Sequence, residues 1–209
     1  MGKDCICPRP KINALLGKDV YLCQGGIFMQ KKNNRFLRIA VFSSFLAAMS
    51  IVFGKYLAIN LGEVIRMSFE NTPIIFAGLA FGPIVGAAVG IVADLVGCLL
   101  VGYAVNPLIT LGAAVIGIVS GVFRIFLGTR GGVSRYLMIL VAILLSHGVG
   151  SVLIKTIGLS AFYAMPYHAL LLWRSLNYLI VGSIESVILI PLLSNKRIKE
   201  EIKKLGGRV

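Results

Sequence analysis

A chain of 209 residues that is 57% hydrophobic and only 14% charged lies well to the apolar side of soluble domains, which sit at about 45–50% and 25%. That balance excludes an ordinary soluble enzyme and indicates an integral membrane protein. The net charge of +13 does not signal nucleic acid, because the basic residues crowd the two ends and one short loop, as the positive-inside bias requires.

Residues 1–28 carry neither a continuous apolar h-region nor helical periodicity, so they read neither as a signal peptide nor as part of the fold. Cys5, Cys7 and Cys23 lie there, and Cys98 lies in an apolar run. The Cys5-Ile6-Cys7 spacing suits no zinc knuckle, so no metal, cofactor or disulfide framework is expected. Met29 followed by QKKNNRFLR resembles the natural start of a bacterial membrane protein. Gln24-Gly25-Gly26 also permits a purine-rich AAGGAGG ribosome-binding sequence, ending about seven nucleotides before the Met29 codon. Residues 1–28 are therefore expected to be an untranslated or disordered leader, and 29–209 a single membrane domain. Peptides from 1–28 in the native product would refute that start.

The first span is expected from Phe36 to Ile59, long enough to cross a bilayer at about 1.5 Å per residue. Ala40, Ser44 and Ala48 recur every fourth residue in it, a small-residue stripe that suits a partner helix better than lipid. The mixed-charge segment 60–72 is expected to be an external loop or lid. Pro73 to Phe81 is too short to span upright and is expected to be tilted or partly broken, meeting the third span (Pro83 to Val101) at Gly82-Pro83. Gly78, Gly82, Gly86 and Gly90 recur every fourth residue, and Asp94 continues the row. From Pro83 onward this spacing puts Gly86, Gly90 and Asp94 on one face, pointing the carboxylate into a bundle rather than at lipid.

Gly102 to Asn106 turns the chain into a fourth span, Pro107 to Leu127, rich in Gly and Ala. The basic loop Thr129 to Arg135 leads to a fifth span, Tyr136 to Leu159, with His147 and Lys155. An aromatic turn, Ala161 to Tyr167, precedes the sixth, His168 to Leu193, which carries Arg174, Asn177 and Glu185. The expected fold is therefore an all-α, six-helix, multi-pass bundle in the cell membrane. Lys31, Lys32, Arg35, Arg38, Arg130, Arg135 and the basic tail then share one side, so both termini are expected to be cytoplasmic.

Ionisable side chains at membrane depth mark function by default. His147, Ser151 and Lys155 share one helical face; Arg174, Tyr178 and Glu185 share another, with Asn177 beside them. With Asn106, Tyr103 and Arg66 they form the expected lining of a cavity open to the outside. Arg174 and Lys155 suit an anionic ligand, and Asp94 suits paired N–H donors of a heterocycle. Against this stand plainer roles: Lys155 snorkelling, His147 as a hydrogen-bonded core residue, and Glu185 neutralising Arg124. The chain has no Walker-type phosphate loop and so no ATPase site of that kind. Ser120 in Gly117-Ile-Val-Ser120-Gly121, with His147, keeps an intramembrane hydrolase as a distant alternative, although the spacing departs from G-x-S-x-G.

The block from Arg66 to Asp94 (RMSF, then PIIFAGLAFGPIVGAAVGIVAD), followed by GYAVNP and a small-residue fourth span, resembles the S components of energy-coupling-factor vitamin transporters, nearest the folate-type group. The resemblance runs from about Phe36 to Leu193. The stripe Ala40/Ser44/Ala48 is similar to that family's first-span Ala-x-x-x-Ala docking motif, with Ser in the middle place. It implies a non-enzymatic subunit that captures a vitamin outside and relies on a transmembrane coupling subunit and two ATPase subunits for energy. Folate is the expected ligand, with riboflavin, pantothenate or a thiamine precursor as alternatives.

Overall fold

The computed structural model describes residues 20–23, 26–29, 35–61, 65–127, 132–163, 166–205 and 207. Val20–Cys23 (β1) and Gly26–Met29 (β2) pair as an antiparallel hairpin ahead of the bundle. Helix α1 (Arg35–Ile51) continues through a π-helical turn, Val52–Tyr56. A second small hairpin follows, Ile59–Leu61 (β3) with Ile65–Met67 (β4), in which Asn60 faces Arg66 in the register. This hairpin fills much of the segment expected as a lid.

Helix α2 (Asn71–Phe81) is continuous and buried along its whole length. The sequence places its start at Pro73; the structure starts it two residues earlier, with Asn71 and Thr72 in the first turn. Proline is at home there, since its missing N–H belongs to a turn without intrahelical partners. The helix stops at Gly82, whose φ of 103° is one that side-chain-bearing residues rarely adopt. Helices α3 (Pro83–Val101) and α4 (Pro107–Leu127) then run antiparallel.

Glycine lets α2, α3 and α4 touch backbone to backbone. A Cβ at Gly90 would press on the Ala113 carbonyl, and one at Gly86 would lie 2.6 Å from the Gly117 carbonyl oxygen and 2.8 Å from the Gly78 Cα. Without a hydrophobic driving force between helices in lipid, this close approach supplies dispersion contacts that larger residues would forbid.

The fifth crossing is α5 (Val133–Ser146), a π-helical stretch His147–Ile154, and α6 (Lys155–Tyr163). The sequence reading has a plain helix there. The sixth is α7 (Tyr167–Ser194). Among the described residues, five helical segments are long and apolar enough to cross a membrane, and Asn71–Phe81 is a shorter apolar helix beside these five. An additional helix, α8 (Lys196–Leu205), begins where the Asn195 side chain accepts from the Arg197 N–H at 3.0 Å. It lays Ile198 and Ile202 on the bundle, with Lys199 half-buried and Lys196, Lys203 and Lys204 exposed; Ile202 and Leu193 belong to the same core as α2.

Candidate functional site

The polar residues gather around the N-terminus of α2. Glu70, Asn71 and Thr72 lie side by side there, and together they are tied to the first, fifth and sixth crossings. Glu70 accepts from Lys155 Nζ at 3.0 Å, while its carbonyl accepts from Ser50 Oγ at 2.6 Å. Lys155 is 5% exposed, so the snorkelling role does not describe it. Asn71 is fully buried; its amide donates to Ser151 Oγ at 3.2 Å and faces His147 Nδ1 at 3.5 Å. Thr72 donates to Glu185 Oε1 at 2.7 Å.

His147 Nε2 meets Glu185 Oε2 at 2.6 Å, with both side chains almost wholly enclosed. The Nε2–H donates to the carboxylate, and Nδ1 faces the Asn71 amide. Glu185, expected to neutralise Arg124, thus takes partners from α2 and the fifth crossing; the Arg124 guanidinium reaches the backbone at Gly82. The π-helical widening carries both His147 and Ser151, the kind of local distortion often found where a helix serves a site.

Above His147 lies Tyr178, stacked on the imidazole at 5.0 Å between ring centroids. Arg174 sits over the same Tyr178 ring at 5.5 Å and donates to its hydroxyl at 3.5 Å. The Arg174 Nε is buried without a hydrogen-bond partner. Asn177 is half-buried beside it.

A second group lies toward α3. Thr110 donates to Asp94 Oδ2 at 2.6 Å, and Lys55 stands 5.4 Å from the centre of the exposed Tyr103 ring. Asp94 continues the glycine face toward α4, as the spacing predicts. Between Asp94, Lys55, Glu70 and Lys155 remains a cavity of about 20 Å³, enough for roughly one water.

The structure therefore brings Asp94 and Lys155 to one cavity, and Arg174 and His147 to one stack on Tyr178. It does not bring Asn106 to them in a ligand-facing role: its amide donates to the Gly158 carbonyl and its oxygen accepts the Leu108 N–H, so it caps α4. Arg66 is in β4, and its side chain is outside the described set. Ser120 donates to its own helix at the Gly117 carbonyl and packs on Gly78, seven residues from Asn71 and about 10 Å further along α2. His147 meets Asn71, so the structure does not join Ser120 and His147.

Sequence reasoning missed Glu70, Asn71, Thr72 and Lys55. The signal was present: Glu70-Asn71-Thr72-Pro73 ahead of an apolar run is a helix-start pattern, and it buries the polar residues that a lid would expose. On α1, Ser44 and Ala48 are exposed, Ala40 is half-buried, and the Ser44 hydroxyl bonds the Ala40 carbonyl at 2.9 Å. The stripe is accessible to a partner.

Residues 36–199 match the family described as ECF-type riboflavin transporter, S component. The chain is 27% identical over 158 residues to the folate transporter FolT of Clostridium novyi (strain NT), covering 73% of this chain and 86% of that one. Its fold is similar to the crystal structure of FolT bound with folic acid, with a TM-score of 0.59 at 26% identity over 75% of this chain and 92% of that one. An S-component for biotin from an ECF-type ABC transporter shares the fold alone, with a TM-score of 0.58 at 18% identity over 79% and 96% of the two chains. A bundle of membrane-length apolar helices with ionisable groups in its interior, matched over most of its length, identifies this chain as a multi-pass membrane protein that belongs to the ECF-type riboflavin transporter S component family, transporter subunits and not enzymes.

Proposed function

We propose that this S component binds folate, captures it at the end of the bundle where the β3–β4 hairpin and the 102–106 turn lie, and delivers it with a coupling subunit and two ATPase subunits. In that orientation both termini are cytoplasmic. The observation that carries the ligand reading is Arg174, a cation inside the sixth crossing whose buried Nε has no hydrogen-bond partner. A glutamyl carboxylate is the acceptor that suits a guanidinium fork. Asp94, held by Thr110, is the complementary acceptor for N–H donors of a pterin ring.

The 27% identical relative is named for folate, and so is the 26% identical solved structure; the family description names riboflavin. Lys155 serves the ligand less directly than Arg174, because Glu70 already compensates its charge. The 20 Å³ cavity admits no vitamin, so binding requires the hairpin and Glu70 to move away from Lys155. We place Asp94, Arg174 and Lys155 against the ligand, with His147, Asn177, Tyr103 and Arg66 around them. Asn106 shapes the turn.

Titration of the purified subunit with folate, riboflavin and pantothenate in parallel tests this. Folate is expected to bind. Arg174→Ala should weaken it by about 10- to 150-fold, the worth of a charged hydrogen bond at about 1.5–3 kcal/mol, and Asp94→Asn should weaken it by about tenfold or more. Riboflavin binding with no folate binding would replace the ligand. Ser44→Trp should abolish ATP-driven uptake in the assembled transporter while leaving folate binding nearly unchanged, because the stripe faces away from the polar belt. Loss of binding in that variant would move the partner face elsewhere.

A further inference from the structure

Two cations meet at the end of the bundle that carries the C-terminus, where α5 begins and α7 passes into α8. Arg135, in the first turn of α5, donates through Nη2 to the Leu193 carbonyl at 3.5 Å. Its Nε is buried without a hydrogen-bond partner, and so is the hydroxyl of Ser194, one residue on from that carbonyl. Lys199 is half-buried on α8. Burial, and then repulsion from Arg135, lower its pKa.

No carboxylate relieves this pair among the described residues. Glu201 is bonded to Lys204 at 2.6 Å, and at about 100° per residue it lies on the far flank of α8 from Lys199. Glu200 is exposed on the outer face of the helix, while Lys196 and Lys203 continue the Lys199 flank. Two like charges drawn partly out of water are costly, and so are a buried N–H and a buried hydroxyl with nothing to bond. A bound oxyanion removes both costs at once, because it neutralises the cations and accepts from the N–H and the O–H.

The surroundings select the source of that oxyanion. Val133, Tyr136 and Leu137, on either side of Arg135, are exposed where α5 enters the apolar span Val133–Ala161. Tyrosine is at home at the level of lipid headgroups, and the exposed side chains along α5 give an acyl chain an apolar surface next to the cations. We propose that Arg135, Ser194 and Lys199 bind the phosphate of an anionic phospholipid. A choline or ethanolamine ammonium attached to that phosphate would meet cations, so a headgroup without one is preferred. The site is independent of which vitamin the subunit carries.

Native mass spectrometry of the detergent-purified full chain, doped with phosphatidylglycerol or phosphatidylcholine, tests the assignment. Phosphatidylglycerol should be retained in preference. Arg135→Gln should lower its retention by about tenfold or more, the worth of a charged hydrogen bond. Lys199→Gln should lower it by about fivefold, the worth of one basic residue at an anionic surface. Ser194→Ala deletes one hydroxyl and should lower it by about two- to tenfold; this variant carries the test if a charge variant folds poorly. Lys204→Gln removes a cation already bonded to Glu201 and should leave retention nearly unchanged.

Equal losses in the Lys199→Gln and Lys204→Gln proteins, with none in Ser194→Ala, would mean diffuse surface charge and overturn the proposal. Equal retention of the two lipids by the unaltered chain would overturn it as well. Displacement of phosphatidylglycerol by an equal concentration of inorganic phosphate would assign the site to a soluble anion, which overturns the lipid assignment.

Discussion

Gly86→Ala is expected to destabilise the centre of the bundle strongly. The added methyl would lie 2.6 Å from the Gly117 carbonyl oxygen and 2.8 Å from the Gly78 Cα, so it would meet backbone of α4 and α2 at once. Neither can rotate away as a side chain would. Overpacking costs about 1–3 kcal/mol where neighbours can shift; three helices held by mutual glycine contacts put this site at or above the upper end. The melting temperature in detergent should fall by on the order of 10 °C, taking about 2–4 °C per kcal/mol for a chain of this size. Gly148→Ala is the control, since a methyl there meets nothing within 4 Å. Equal melting temperatures for the two variants would mean that α2, α3 and α4 are not in this close contact.

The second large effect is at the buried pair His147–Glu185. Glu185→Leu removes the acceptor for both the His147 N–H and the Thr72 hydroxyl, neither of which has water to turn to. Breaking such a pair from one side costs about 3–5 kcal/mol. Combining it with His147→Leu and Thr72→Val should recover a large part of the loss, because no polar group is then left alone. Thermal unfolding of the single and combined variants measures the difference. Strictly additive losses would show that these groups are not coupled.

The crossing plan was legible because bilayer thickness turns hydropathy into length: the apolar runs ending near Val101, Leu127 and Leu193 need no tertiary information. Helix α8 was less so. Its apolar residues Ile198, Ile202 and Leu205 recur at helical spacing, but lysines between them made the tail read as charge alone. The π-helical stretch at His147 leaves no hydropathy signal, since it changes the turn and not the composition. The end of the lid segment differs for the opposite reason: its polar letters suggest solvent, yet Asn71 and Thr72 are buried in the first turn of α2.

Residue identity by itself determined the class of protein, the inward direction of the Gly86–Gly90–Asp94 face, and the accessibility of the α1 stripe, all of which follow from short-range periodicity and the cost of exposing polar groups to lipid. Only the tertiary structure decided which charges meet. Lys155 took Glu70, Glu185 took His147 and Thr72, and Asn106 took a helix end, because each pairing joins residues from different crossings. The stability of a buried charge depends on the partner that packing delivers to it, and no local pattern records that partner.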